Sequence, residues 1–340
     1  MHRSEVTVDL GALRRNVRTL RRVLDGPHLW AVVKANGYGH GAVDVAGAAL
    51  GAGATALCVA TIPEGLALRK EYRTERILVM GPAGSNREVA QAREAGLELA
   101  IADGEIPEGI RVHLKLDTGM GRYGLAELPA APAEVVGLMT HLATADSDPD
   151  FALVQLDRFR TSTAEFSHLT RHAANSAATL RFPESHLDAV RCGIALYGLS
   201  PFNTDPTADG LEPVLSWQSM LAQVKRLEPG QSTGYGRRFV AAEPTWIGIV
   251  PVGYADGFRR DLTGTEVRVA GEPRRVVGTV SMDSLAVELD RELPVGAPVV
   301  LLGHGVLAEA HAAVAGTINY ELVCGIESGP LRARRTVIDA

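Results

Sequence analysis

Short apolar runs, polar turns and amphipathic stretches follow one another in a regular rhythm through the first 200 residues. The runs LWAVVK (29–34), ALCVA (56–60), RILVM (76–80), LELAI (97–101), VHLKL (112–116), VVGLMT (135–140), HLTRHA (168–173) and LDAVR (187–191) predict eight strands. Helical spacing between them predicts helices over 9–24, 42–50, 63–72, 86–95, 150–166 and 175–181. The first of these has a cap candidate in Asp9 and a stripe of Leu10, Leu13, Val17, Leu20 and Leu24. Strands alternating with helices predict an α/β fold, a TIM-type (β/α)8 barrel closed so that no strand edge is left unpaired. The helices after the fourth and fifth strands are short or missing in the pattern. An open doubly wound sheet is the alternative, but no GxGxxG follows the first strand to support it.

After Leu199 the pattern changes. SPFNTDPTADGLEP (200–213) has the composition of a linker, and long β-like runs follow it, separated by turn signals such as EPGQ and AGEP. Helical spacing returns only near 308–314 and 317–324. The expected division is a barrel over 1–212 and a mostly β domain over 213–340, a sandwich or small barrel. VTVDL near the N-terminus, within residues 1–8 for the most part, is a candidate edge strand for the second domain.

Composition narrows the function. A net charge of -6, from 34 basic and 40 acidic residues, argues against nucleic acid or an anionic membrane as partner and favours a small-molecule substrate. Cys58, Cys192 and Cys324 are widely spaced and form no CxxC pair. With no signal-like N-terminus and no run of 18 apolar residues, the expectation is a cytoplasmic protein.

In a parallel barrel, reactive groups gather at the C-terminal strand ends. Lys34 follows the first strand, in AVVKANGYGHG, where Gly37, Gly39 and Gly41 let the chain turn. An ammonium is costly to desolvate, so Lys34 either snorkels to solvent or forms a Schiff base. KLDTGMGRYG, THLATAD, HAANSAATL and RCGIALYGL follow the fifth to eighth strands. Asn175 and Ser176 open a helix, and Gly193 and Ile194 offer N–H groups nearby; the set reads as a phosphate cup or as an ordinary helix cap. Arg122 is a carboxylate or phenolate partner or a surface arginine, Arg191 lies near the barrel mouth, and His141 is a site or a core histidine. No metal-binding spacing, GxSxG or GxxxxGK[ST] occurs. A Schiff-base lysine, a phosphate cup and an arginine together point to pyridoxal phosphate.

AVVKANGYGHG, KLDTGMGRYG, HLATAD, HAANSAAT, RCGIALYGL, VPVGYADG and TINYEL together resemble the alanine racemases, pyridoxal-phosphate enzymes of fold type III. The resemblance spans residues 31 to about 324 and implies roles for matching residues. Lys34 carries the cofactor and is one acid/base. Tyr254, reaching in from the partner subunit of a homodimer, is the other. Tyr38, Ser176, Gly193, Ile194 and Tyr320 bind the phosphate. Arg191 faces the pyridine nitrogen with His141 in support, and Arg122 meets the cofactor phenolate and the substrate carboxylate. Lys115 matches a lysine that is often carbamylated and orients that arginine, while Met282 and Asp283 match partner-subunit residues at the carboxylate. Asp146 and His172 match residues of the substrate corridor.

Racemisation removes a proton from one face of Cα and returns it on the other, so two bases on opposite faces suffice. The sequence departs from the family where GTVSMD places Thr279 at a position usually held by a corridor arginine, and its C-terminus lacks the usual RVPR-like ending. Thr279 motivates a racemase of another, non-proteinogenic amino acid as an alternative to alanine. A non-catalytic pyridoxal-phosphate-binding protein and a decarboxylase are further alternatives; the VPVGYADG motif counts against both. D-Alanine supply for peptidoglycan is the role the resemblance suggests.

Overall fold

The computed structural model describes residues 2–340. The chain divides into two compact units: Leu13–Phe202 with Thr207–Glu212, and the residues up to Ala12 with Asn203–Pro206 and Pro213–Ala340.

Strand β1 (Glu5–Asp9) belongs to the second unit, and the next eight strands build the first. They are β2 (His28–Val32), β3 (Ala56–Val59), β4 (Ile77–Val79), β5 (Glu98–Ile101), β6 (Val112–Lys115), β7 (Val135–Met139), β8 (Thr170–His172) and β9 (Ala189–Cys192). All eight fall on the predicted apolar runs. They pair in parallel in the order β8-β7-β6-β5-β4-β3-β2-β9. The two ends meet where Arg191 N–H donates to the Ala174 carbonyl (2.9 Å) and Asp188 N–H to the Arg171 carbonyl (3.1 Å), which all but closes the barrel. Runs such as β3 are buried at every position, as strands covered on both faces must be.

Helices Leu10–Val23, Ala42–Gly51, Ile62–Arg69, Asn86–Glu94, Pro149–Ser162 and Ser176–Arg181 occupy the six predicted stretches. Asp9 Oδ1 accepts the N–H groups of Gly11 and Ala12, and Leu13, Val17 and Leu20 are fully buried. Thr61, Ser85, Asp148 and Asn175 cap four later helices in the same way. No helix joins β5 to β6 or β6 to β7. Pro107, Pro129 and Pro132 and several glycines lie in those connections, where they deny the backbone a continuous helical ladder.

The second unit contains β10 (Leu215–Met220), β11 (Gln223–Leu227), β12 (Ser232–Thr233), β13 (Phe239–Val240), β14 (Thr245–Val250), β15 (Glu266–Val269), β16 (Glu272–Val277), β17 (Leu285–Leu289), β18 (Pro298–Leu302) and β19 (Arg334–Ile338). Hydrogen bonding joins nine strands in the order β11-β14-β17-β16-β15-β18-β10-β1-β19, with β12 and β13 as a separate ladder. β1 pairs antiparallel with β10, Val6 opposite Trp217, and parallel with β19, Val8 opposite Val337. Those two ladders are why residues through Ala12 group here and not with the barrel. Leu227, Ala241, Ile247, Val277 and Ala286 form a core cluster. Among the described residues no helix is long and apolar enough to cross a membrane.

Candidate active site

Val33 and Lys34 carry the chain out of the C-terminal end of β2, and the backbone then turns through a left-handed segment. Ala35 (φ 52°), Asn36 (52°), Gly37 (63°) and Tyr38 (52°) all have positive φ. Gly37 N–H donates to the Val33 carbonyl at 2.9 Å and Gly39 N–H to the Ala35 carbonyl at 3.0 Å, so this is one turn of left-handed helix. Each non-glycine residue in that conformation costs roughly 1–2 kcal/mol, and specific bonds hold it. Ala35 N–H donates to Glu64 Oε1 (2.7 Å), and Asn36 Oδ1 accepts from Ala42 N–H (3.1 Å). The glycine turn expected from sequence is therefore a strained turn that three non-glycine residues share. It folds Tyr38 inward, its ring 4.9 Å from that of Tyr197, whose hydroxyl donates to the Val32 carbonyl at 2.9 Å.

Lys34, Lys115, Arg122, His141 and Arg191 converge on one cavity of about 250 Å³, completed by Ala60, Met80, Gly81, Tyr123 and Met139. Four of these ten residues carry cationic side chains and none is acidic, so the cavity favours an anion. Larger hollows of about 390 and 740 Å³ are surface depressions that contain none of these residues. Met80, Tyr123 and Met139 were not singled out from sequence; each sits at or just beyond a strand's C-terminal end, or in the glycine-rich loop after β6, which is the signal that could have found them.

Burial, then Arg122 and Arg191, lower the Lys115 ammonium to about 8, with Asp117 opposing. Its Nζ lies 5.5 Å from the centre of the Tyr123 ring. Arg191 is buried and donates to the carbonyls of Thr140 (2.7 Å), His172 (2.8 Å) and Ala173 (3.2 Å) and to His172 Nδ1 (2.7 Å). Burial lowers its guanidinium to about 10, which leaves it cationic at neutral pH. His141 Nδ1 lies 3.4 Å from Arg191 Nη2, and burial together with Arg191 lowers the imidazole to about 3.

Asn175 is a helix cap: its side chain accepts from Ala178 N–H at 3.0 Å. Ser176 Oγ meets the N–H groups of Gly193 (3.0 Å) and Ala195 (3.4 Å). A Cβ on Gly193 would lie 2.4 Å from the Tyr38 hydroxyl oxygen, so Gly193 alone permits that approach. Tyr38, Ser176 and Gly193 thus come together.

In the second unit, Tyr254 opens a short turn after β14 and exposes 42% of its surface; its N–H donates to the Ser281 carbonyl at 3.0 Å. Asp256, two residues on, accepts from Gly253 N–H and is gripped by Arg3 and Arg332, and Arg332 also pairs with Asp283 at 2.7 Å. One ionic cluster therefore fastens both the Tyr254 turn and the Met282-Asp283 turn. Thr279 is buried, its hydroxyl donating to the Tyr235 carbonyl at 2.9 Å, and Tyr320 lies in the helix Asn319–Cys324. Asp146 is exposed beside Ser147. His172 is fully buried inside the barrel, where its two ring nitrogens bond His113 and Arg191.

Burial lowers both His113 and His172, the latter well below its ordinary value, so the fold disfavours protonation of either ring. The unfolded chain binds protons on them below pH about 6.5 more readily than the native chain does, so stability is full above that pH and falls as pH drops. Stability is therefore expected to fall progressively as pH drops from about 6.5 toward about 4.5. Urea unfolding at half-unit pH steps checks this; a flat stability profile over that window would refute it.

The alanine racemase N-terminal domain profile matches residues 8–201 and the alanine racemase C-terminal domain profile residues 214–335. The alanine racemase of Symbiobacterium thermophilum is 42% identical, with 94% of this chain and 93% of that protein covered. That of Lactiplantibacillus plantarum is 41% identical over 99% and 98%. Among solved structures, the biosynthetic alanine racemase of Pseudomonas aeruginosa superposes with a TM-score of 0.91 at 34% identity, covering 99% of each chain. The alanine racemase of D-cycloserine-producing Streptomyces lavendulae gives 0.89 at 36%, covering 100% of this chain and 98% of the other.

Proposed function

Since the chain belongs to the alanine racemase family, we propose that it interconverts L- and D-alanine using pyridoxal 5'-phosphate, with Lys34 and Tyr254 of the partner subunit as its two bases. The observation that carries this reading is the cavity at the barrel's C-terminal end, where Lys34 stands among three further cations with no acidic lining residue.

The residues present fit the cofactor. Its phosphate suits Tyr38, Ser176, Gly193 and Ile194, where the missing Gly193 side chain lets the Tyr38 hydroxyl close in and two hydroxyls offer donors to an anion; Tyr320 is assigned to the same group. Its aldehyde suits the Lys34 amine. Its pyridine nitrogen suits Arg191, a fixed cation that disfavours a second positive charge there. When bound, pyridoxal phosphate withdraws electrons from the substrate Cα and so acidifies the α-proton.

The protein's own part is proton handling and orientation. Lys34 Nζ takes or returns the α-proton on one face, and Tyr254 Oη does so on the other. Arg122 holds the substrate carboxylate, with Met282 and Asp283 of the partner subunit beside it. The lowered Lys115 amine has the neutral fraction that addition of carbon dioxide requires, and a carbamate there would pair with Arg122. The barrel unit holds the cofactor and the second unit completes another copy's site. The exposure of Tyr254 (42%), Met282 (52%) and Tyr235 (72%) supports a homodimer, because large side chains of this kind are commonly covered by a partner. Cytoplasmic D-alanine supply for peptidoglycan is the proposed role.

A second reading keeps the chemistry and changes the substrate. It rests on Thr279, a neutral and buried residue at the corridor position. Chiral product analysis with alanine, serine and bulkier amino acids should give the highest kcat/KM for alanine. A strong preference for a larger amino acid removes alanine from the assignment, and carbon dioxide release would turn it to a decarboxylase.

A further inference from the structure

A chain of buried polar groups runs through the barrel from its N-terminal rim to Arg191. Glu98 opens β5 and is 3% exposed. Its Oε1 receives Arg76 Nε (3.1 Å) and Arg111 Nη2 (2.9 Å), and its Oε2 receives Arg76 Nη2 (2.9 Å) and meets His113 Nε2 (3.0 Å). His113 Nδ1 meets His172 Nε2 at 2.9 Å, and His172 Nδ1 meets Arg191 Nη1 at 2.7 Å. His113 and His172 sit on β6 and β8, with β7 between them. They touch because β7 carries Gly137 at that level; a Cβ there would lie 2.2 Å from His113 Nδ1. Trp30 flanks both rings, 5.7 Å from His113 and 4.5 Å from His172.

The two ends of the chain fix its direction. A carboxylate only accepts and a guanidinium only donates. Glu98 therefore requires the proton of His113 on Nε2, which leaves His113 Nδ1 as an acceptor. His172 must then carry its proton on Nε2, which leaves Nδ1 to accept from Arg191. Both rings are neutral in this pattern and every bond is made. A second proton on either ring, or a reversed tautomer, would set N–H against N–H.

We propose that Glu98 is a positioning residue for Arg191, acting through His113 and His172 by dictating which nitrogen of each ring carries the proton. Such tautomer control leaves Arg191 with a lone pair to donate into and so holds its guanidinium in place. Hydrogen bonds from His113 and Arg76 outweigh the effect of burial and hold Glu98 at about 2, so the carboxylate is charged throughout the working range. The catalytic consequence rests on the role proposed for Arg191; the tautomers do not, and they can be read without cofactor.

The test is ¹⁵N NMR of histidine-labelled protein, with and without pyridoxal phosphate, in wild type, Glu98→Gln and Gly137→Ala. In wild type His113 and His172 should both be Nε2–H tautomers at neutral pH; an Nδ1–H tautomer or an imidazolium at either position overturns the proposal. This measurement needs no variant. In Glu98→Gln the amide can donate, so His172 should move wholly or partly to Nδ1–H. Cofactor absorbance should shift and kcat/KM for alanine fall about ten- to a hundredfold, with cofactor content retained. Gly137→Ala, which pushes the His113 ring aside while leaving Glu98 intact, should give the same shift in absorbance. A role in stability alone would lower the melting temperature and leave the His172 tautomer and the absorbance unmoved, and that result also overturns the proposal. If wild type racemises no amino acid, the functional reading fails while the tautomer result stands.

Discussion

Lys34→Ala is expected to abolish alanine racemisation and to leave protein that no longer retains pyridoxal phosphate through dialysis. Lys34 stands two residues beyond the end of β2 and lines the cavity beside Arg122, His141 and Arg191. Losing a covalent anchor and one of two bases removes at least the roughly 10²–10⁴-fold contribution of a positioned acid/base, and the anchoring on top of it. Borohydride treatment before denaturation separates the two effects, since it makes an amine-bound cofactor permanent. Wild type should keep the label and the variant should not. A Lys34→Ala protein that keeps the label, or that racemises alanine at more than about 1% of the wild-type rate, would show that another amine does the work. Lys115 is then the first suspect, since it lines the same cavity and is lowered to about 8.

Tyr254→Phe should lower racemisation in both directions by roughly 10²–10⁴-fold while leaving cofactor binding intact. The aromatic ring is retained, and the turn that carries it is held by backbone bonds to Ser281 and Met282 and by the Asp256 cluster, none of which uses the hydroxyl. Loss should therefore be chemical and not conformational. With Lys34 still in place, the variant should exchange the α-proton of one alanine enantiomer with deuterated solvent and fail to exchange that of the other. Equal exchange of both enantiomers would remove Tyr254 from the pair of bases. Mixing Tyr254→Phe with Lys34→Ala adds a test of sharing between copies: hybrid dimers carry one wild-type pair if each site draws its two bases from different chains. Recovery of activity on mixing supports that arrangement, and its absence in verified hybrids counts against it.

Much of the fold could be read from the chain because its signals are local. Strands buried on both faces need unbroken apolar runs, and β3 or β4 can hardly be read otherwise. Helix caps such as Asp9 and Asn175 act within three residues of themselves. The two connections without helices were visible as well, as stretches where helical spacing is short or missing. By contrast, the left-handed turn after Lys34 was legible only as a glycine-rich turn. Ala35, Asn36 and Tyr38 have no intrinsic reason to enter it, and Glu64, 29 residues away, helps to hold them there.

The separation is clearest at Glu98, His113 and His172. In sequence each is a single polar residue inside a strand, 15 and 59 residues apart along the chain, and nothing local marks them as a set. The sequence by itself determined where the strands lie, which lysine stands at the first strand's end and which family the motifs resemble, because those depend on short-range pattern. Only the tertiary structure decided that β1 joins the second sheet, that four cations share one cavity, and that a carboxylate and two imidazoles line up behind Arg191. Parallel register brings those residues together, and register is a property of strands already paired, which no window of sequence contains.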